Sequence, residues 1–252
     1  MKTKLIVANW KLNPDSPREA RELFTSVKRV ATKLRKVETV ICAPVIFLPL
    51  LKPQQKLFLG AQDTFWAREG AWTGQISPGM VRKSSVQYVI LGHSEKRATG
   101  DSDAIINQKL KLALAEGLRV ILCVGEKERD THGEYLNIIR EQLNAALLKI
   151  PKKFSAQIVI AYEPIWAIGE QARSSDTPHD FLQQAIFIRK VLSHWCGHAP
   201  ALTIPVLYGG SVDGKNAAGF LQEGQADGLL VGRSSLRSDI FNQILKTANA
   251  LA

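Results

Sequence analysis

Apolar residues fall in short runs along this chain, separated by longer stretches of helical period. Leu5-Ile6-Val7-Ala8-Asn9 is the first run, and a helical pattern follows from about Ser16 to Lys36. Thr39 to Cys42, Leu57 to Ala61, Tyr88 to Gly92, Arg119 to Val124, Ile158 to Tyr162, Ile204 to Tyr208 and Gly228 to Val231 repeat the strand signal. Between them lie a short apolar helix near Val45 to Leu51 and longer patterns from Ser102 to Glu116, up to about Ile150, and from Pro178 to His194. The strand runs are too continuously apolar for a sheet with one wet face, so they predict parallel strands covered by helices.

Eight such β-then-α runs in 252 residues have the count and size of a (β/α)8 TIM barrel. An open, doubly wound sheet is the rival, because periodicity does not show closure. The absence of GxGxxG after the first run counts against a dinucleotide-binding half. No linker divides the chain, so residues 1–252 are expected to form one α/β domain. Its site is expected at the carboxyl ends of the strands.

Candidate chemistry stands at those ends. Glu163 follows Ile158-Val159-Ile160-Ala161-Tyr162, and Pro164 stops the strand at once. The apolar stretch Ile165-Trp166-Ala167-Ile168-Gly169 comes next, so a carboxylate sits beneath a lid-like loop. Asn9-Trp10-Lys11 closes the first strand and places Lys11 to reach over the mouth. Gly92-His93-Ser94-Glu95 closes the fourth, with Ser94 a good N-cap for a short helical turn. A helix N-terminus beside His93 favours the neutral imidazole. Cys123, at the end of the fifth strand, reads as a small buried hydrophobe rather than a nucleophile. Glycines before Ser211 and at Gly232, ahead of Arg233, end the last two strands, a frequent place for phosphate.

Composition narrows the partners. Cys42, Cys123 and Cys196 form no CxxC pair, which argues against a disulfide framework or a zinc site and for a cytoplasmic protein. No apolar run approaches the roughly 18 residues of a membrane span, and no secretory leader is expected. The formal charge of +10 would attract anions. Lys28, Arg29, Lys33, Arg35 and Lys36 fall at the end of the first predicted helix, and no basic stripe interleaves with aromatics. Nucleic acid is therefore not expected as a partner, and small phosphorylated ligands are. The long connection from Gln62 to Ser77 carries Phe65, Trp66 and Trp72, which are costly to leave in water. A second copy of the chain is the expected cover.

These segments resemble one known family. Ala8-Asn9-Trp10-Lys11, Leu91-Gly92-His93-Ser94-Glu95, Cys123-Val124-Gly125-Glu126, Ala161 to Gly169 and Tyr208-Gly209-Gly210-Ser211-Val212 are similar, in order and spacing, to the signatures of the triosephosphate isomerases. The resemblance implies interconversion of dihydroxyacetone phosphate and glyceraldehyde 3-phosphate without metal or organic cofactor. It implies Glu163 as base, His93 as donor to both enediolate oxygens in turn, Lys11 as a fixed positive charge, and Asn9 as a further hydrogen bond. Glu95 would orient Lys11, with Ser94 and Cys123 in support. Gly169, Ser211, Gly232 and Arg233 would offer N–H groups to the phosphate, and the 164–174 loop would close over the site. The 62–77 loop would enter a partner in a homodimer, bringing Thr73 to its site with Trp72 and Gln75 alongside. The lid tip Glu170-Gln171-Ala172-Arg173 departs from the family's usual Thr-Gly-Lys. Asp63, Gln75 and Asp101 replace a usual asparagine and two glutamates.

Overall fold

The apolar runs pair as parallel strands that close on themselves in chain order. The computed structural model describes residues 3–130, 132–167 and 176–252. Strands β1 (Lys4–Asn9), β2 (Val37–Cys42), β3 (Leu57–Ala61), β4 (Tyr88–Leu91), β5 (Arg119–Val124), β6 (Ile158–Tyr162), β7 (Val206–Tyr208) and β8 (Gly228–Val231) form a closed barrel. Around it run α1 (Pro17–Ala31), α2 (Pro78–Lys83), α3 (Ser94–Ala98), α4 (Asp103–Ala115), α5 (Tyr135–Ala146), α6 (Pro178–Cys196), α7 (His198–Thr203), α8 (Ala217–Gln222) and α9 (Ser238–Leu251). The open-sheet alternative is excluded by β1, which pairs with both β2 and β8.

Strand alternation explains why both faces of each run are apolar. Leu5, Val7, Val40, Ile90, Ile121, Val159, Ala161, Leu207 and Leu230 fill the barrel interior. Their neighbours, among them Ile6, Ala8, Ile41, Val120, Ile160 and Leu229, pack outward against the helices. A strand buried on both faces has no wet side to mark with polar residues. The interior floor is polar at its edge, where the Arg119 guanidinium stacks 4.8 Å over the Tyr88 ring and meets its hydroxyl.

Several boundaries differ from the sequence expectation. The first helix ends at Ala31, not Lys36, so Lys33, Arg35 and Lys36 lie beyond it. There the Asn249 carbonyl of α9 accepts the N–H groups of Arg35 at 3.1 Å and Lys36 at 3.0 Å. That outside acceptor satisfies the turn before β2 and removes any reason to continue the helix. The seventh strand starts at Val206, because Pro205 has no N–H and lends the ladder only its carbonyl, to Ile160 N at 2.9 Å. The helix α5 ends at Ala146, short of Ile150. Helix α6 runs past His194 to Cys196, where Gly197 at φ 92° ends it.

Asp63 and Asp101 have a definite task. Lys109 of α4 has a side chain only 3 % exposed. Its ammonium contacts Asp63 at 2.8 Å and Asp101 at 2.6 Å, and Lys96 adds a second cation 3.1 Å from Asp63. The two carboxylates compensate one buried ammonium and tie the start of the long 62–77 loop to the barrel wall.

Closure of the barrel depends on Gly228, which faces Leu5 in the ladder. A Cβ there would lie 1.8 Å from the Leu5 carbonyl oxygen. We expect Gly228→Ala to destabilise the fold by about 3 kcal/mol or more through overpacking. Denaturant unfolding followed by circular dichroism measures this, and an unchanged midpoint would contradict it.

Candidate active site

The same alternation sets the floor of the site. Continuing the inward-facing series Leu5, Val7 brings Asn9 to the top of β1, and continuing Val159, Ala161 brings Glu163 to the top of β6. Both are buried, with Asn9 at 5 % and Glu163 at 2 % exposure. Glu163 can sit so deep because Gly125 faces it across the neighbouring strand end. A Cβ at Gly125 would fall 1.8 Å from the Glu163 carbonyl oxygen. The Glu163 N–H donates to Val124 O at 2.8 Å, fixing the residue before Pro164 turns the chain.

The fourth strand delivers His93. Gly92 takes φ 72°, a conformation that favours glycine, and the chain turns directly into α3. The expectation that Ser94 caps this helix is corrected: His93 is the N-cap, and Ser94 is the first helical residue. The Glu95 N–H donates to His93 Nδ1 at 3.3 Å. A ring nitrogen that accepts carries no proton, so in the neutral ring the hydrogen is on Nε2. That Nε2 lies 3.2 Å from Glu163 Oε1. Ser94 instead gives its backbone N–H to Glu163 Oε2 at 3.0 Å, holding the second oxygen.

Lys11 stands in the left-handed region at φ 52°, uncommon for a side chain other than glycine. Two contacts hold it there. Asn9 Oδ1 accepts the Lys11 N–H at 3.1 Å, and Gln62 donates to the Lys11 carbonyl at 2.8 Å. Its ammonium reaches Glu95 Oε1 at 2.6 Å. A Cβ at Gly232 would be 3.6 Å from Lys11 Cε, so the end of β8 lies alongside this lysine.

The loops after β7 and β8 form the wall between Glu163 and Lys11. Ser211 Oγ donates to Ala167 O at 2.9 Å, joining that wall to the turn after Glu163. Ser234 Oγ donates to Val212 O at 2.7 Å and joins the two loops to each other. Trp166 and Tyr162 both donate to Glu126 Oε1, each at 2.8 Å. Burial raises the Glu126 carboxyl above its usual range, and these two hydrogen bonds oppose the rise.

Asn9, Lys11, His93, Glu163, Ser211, Gly232 and Arg233 line one cavity of about 460 Å³. Glu95 and Ser94 stand behind Lys11, His93 and Glu163. Cys123 is fully buried beneath, and burial followed by the Glu163 charge pushes its thiol well above the usual range. Thr73, Trp72 and Gln75 are exposed on the long loop and do not line this cavity. Gly169, and the lid from Ile168 to Ser174, lie outside the described residues.

Comparison with known proteins fits this geometry. The sequence profile of the family described as triosephosphate isomerase matches residues 4–248. The chain belongs to the triosephosphate isomerase family. A triosephosphate isomerase of Dehalococcoides mccartyi is 41% identical, covering 98% of this chain and 97% of its own. Those of Natranaerobius thermophilus and Geobacter metallireducens are 37% and 38% identical over 98% and 97% of this chain, and 97% and 98% of their own.

Some residues in and around this cavity carry no signal in the sequence. Gln62 and Ser234 act through side chain to backbone bonds across the barrel mouth, which no local pattern announces. Asp176 is the other: it precedes the Thr177 cap of α6 by one residue and reads as part of a turn. It is 8 % exposed and lines the cavity. The tautomer of His93 is open to direct test. We expect ¹⁵N NMR of the resting protein near neutral pH to show His93 Nε2 protonated and Nδ1 bare. The opposite pattern would contradict the geometry.

Proposed function

We propose that Glu163, His93, Lys11 and Asn9 carry the interconversion of dihydroxyacetone phosphate and D-glyceraldehyde 3-phosphate through an enediolate. Family membership makes the chain an isomerase of triose phosphates, with a place in glycolysis and gluconeogenesis. The observation that carries the assignment of roles is the approach of Glu163 Oε1 to His93 Nε2 at 3.2 Å, in a cavity also lined by Lys11 and the last two strand ends.

Glu163 is the base. It takes a proton from the carbon next to the carbonyl, and the released electron pair forms the enediolate double bond. Negative charge then gathers on the carbonyl oxygen. His93 Nε2–H donates to that oxygen, and Lys11 offers a fixed positive charge beside it. Preorganised donors of this kind are worth about 10²–10³ each in rate. The hydroxyl proton of the first carbon's oxygen passes to the former carbonyl oxygen by way of His93, and return of the Glu163 proton to the neighbouring carbon leaves the new carbonyl and completes the exchange. The Ser94 N–H holds the second Glu163 oxygen at 3.0 Å. The phosphate is assigned to the N–H groups of Ser211, Gly232 and Arg233, with Gly169 outside the described residues. No metal or organic cofactor enters these steps.

The working form is proposed to be a cytoplasmic homodimer. Leu12 is 95 % exposed, Ile46 71 %, Met80 56 % and Trp72 50 %. All lie in the connections leaving β1, β2 and β3, which are adjacent in the barrel, so they share one side of it. Within the long loop Phe65 is buried, with Trp66 and Trp72 at ring distances of 3.8 Å and 5.1 Å. The loop is thus preformed, and its outer face is the apolar part left to a second copy. The partner's site would be completed by Thr73. Among the described residues no helix is long and apolar enough to cross a membrane.

Two measurements test this reading. We expect Glu163→Gln to lower kcat by about 10³ in a coupled assay of triose phosphate interconversion. Wild type no faster than the variant would sink the assignment. We also expect specific activity to fall on dilution, with Trp72→Ser moving the loss to higher protein concentration. Constant activity in a range that sedimentation shows to be monomeric would rule out the shared site.

A further inference from the structure

A carboxylate that the proposed chemistry does not use stands in the substrate cavity. Asp176 enters from the residues just before α6 and lines the same space as Tyr208, Ser211 and Asn216. Its Oδ1 accepts the Thr177 N–H at 3.0 Å. Its Oδ2 is buried and, among the described residues, has no hydrogen-bond partner. Unpartnered buried carboxylate oxygens are rare and costly.

Its neighbours do not neutralise it. Tyr162 of β6, Tyr208 of β7, Glu126 between β5 and α5, and Asp180 of α6 face it, and among the described residues near it Arg129 is the opposing charge. Arg129 is already shared. It stacks 5.0 Å from both the Tyr135 and Trp166 rings, lies 3.4 Å from Asp180, and lies 3.8 Å from Glu126. Lys11, His93, Glu163, Asp213 and Arg233 line the remainder of the cavity.

We propose that Asp176 makes binding of the phosphorylated triose depend on the charge of its own carboxyl, the neutral form admitting the phosphate dianion and the ionised form opposing it. The inference rests on the phosphate lying at the β7 and β8 ends, as proposed above. Like charges that share one cavity of low effective dielectric repel enough to change a dissociation constant about tenfold or more. Burial is the largest influence on Asp176 and pushes its carboxyl up to about 7, with Arg129 opposing. The direction follows. Below that value the group is neutral and does not repel. Above it the group is ionised, and affinity for a dianion falls. A sugar phosphate is itself dianionic above about pH 6, so between about 6.5 and 8.5 the ligand's own charge changes little, and the Asp176 variants separate this carboxyl from other groups of the cavity.

Sulfate is the simplest probe, because it stays dianionic across this window. Its binding can be measured by calorimetry without turnover, so a failure of the isomerase reading is seen separately. We expect the wild-type dissociation constant for sulfate to rise about tenfold from pH 6.5 to 8.5. In Asp176→Asn and Asp176→Ala it should stay low and change little. In steady-state assays KM for glyceraldehyde 3-phosphate should follow the same pattern with kcat unchanged. For unphosphorylated glyceraldehyde, kcat/KM should be equal in all three proteins. A flat wild-type sulfate profile, or profiles that run parallel in wild type and both variants, would overturn the proposal. So would an equal gain on glyceraldehyde, which would mark a general structural effect.

Discussion

The site exists because β1 pairs with β8. That last ladder turns a row of strands into a ring, and only a ring brings the first and last connections of the chain together. Gly228 permits it by letting the backbone of β8 approach Leu5, where any side chain would strike the carbonyl oxygen. Once the ring is closed, Gly232 lies beside Lys11, and the end of β7 lies beside Glu163, where a Cβ at Gly209 would come within 3.1 Å of Glu163 Cγ. A cation from the start of the chain then shares a cavity with the proposed phosphate cradle from its end.

Within that frame the polar groups hold one another in place. The Glu95 N–H fixes His93 Nδ1 as an acceptor, which turns Nε2–H toward Glu163. The Glu95 carboxylate holds the Lys11 ammonium, and the Ser94 N–H holds the other Glu163 oxygen. One short helix, α3, thus touches three of the four proposed catalytic side chains. Asn9 fixes the fourth relation by accepting the Lys11 N–H and stabilising its left-handed backbone. These bonds put donors in position before substrate arrives, so little reorganisation is left for the chemical step. Asp176 is the discordant member, a buried carboxylate with one oxygen unpartnered among the described residues, in a cavity suited to an anion.

The strands were readable because closure buries both of their faces, which leaves an apolar run of strand length bounded by turns. Helix ends were read less well, as at Ala31, where Asn249 from the far end of the chain decides the stop. The candidate residues were readable for a related reason. Strand ends are marked by Pro164, Gly92 and the paired glycines, so polar residues next to them stand out. Capping was misread at Ser94 because an imidazole acceptor competes for the same N–H groups, and only coordinates show which one receives it.

The sequence by itself determined the α/β class with parallel strands, the family resemblance, and the side chains gathered at the strand ends, since all three are written in short apolar runs, their spacing and the turn residues that bound them. Tertiary structure decided the rest. It set the orientation of His93, the partner of Lys11, the pairing of Asp63 and Asp101 with Lys109, and the place of Asp176 in the cavity. Each of these depends on groups far apart in the chain that meet only after the barrel closes, a juxtaposition that no local pattern encodes.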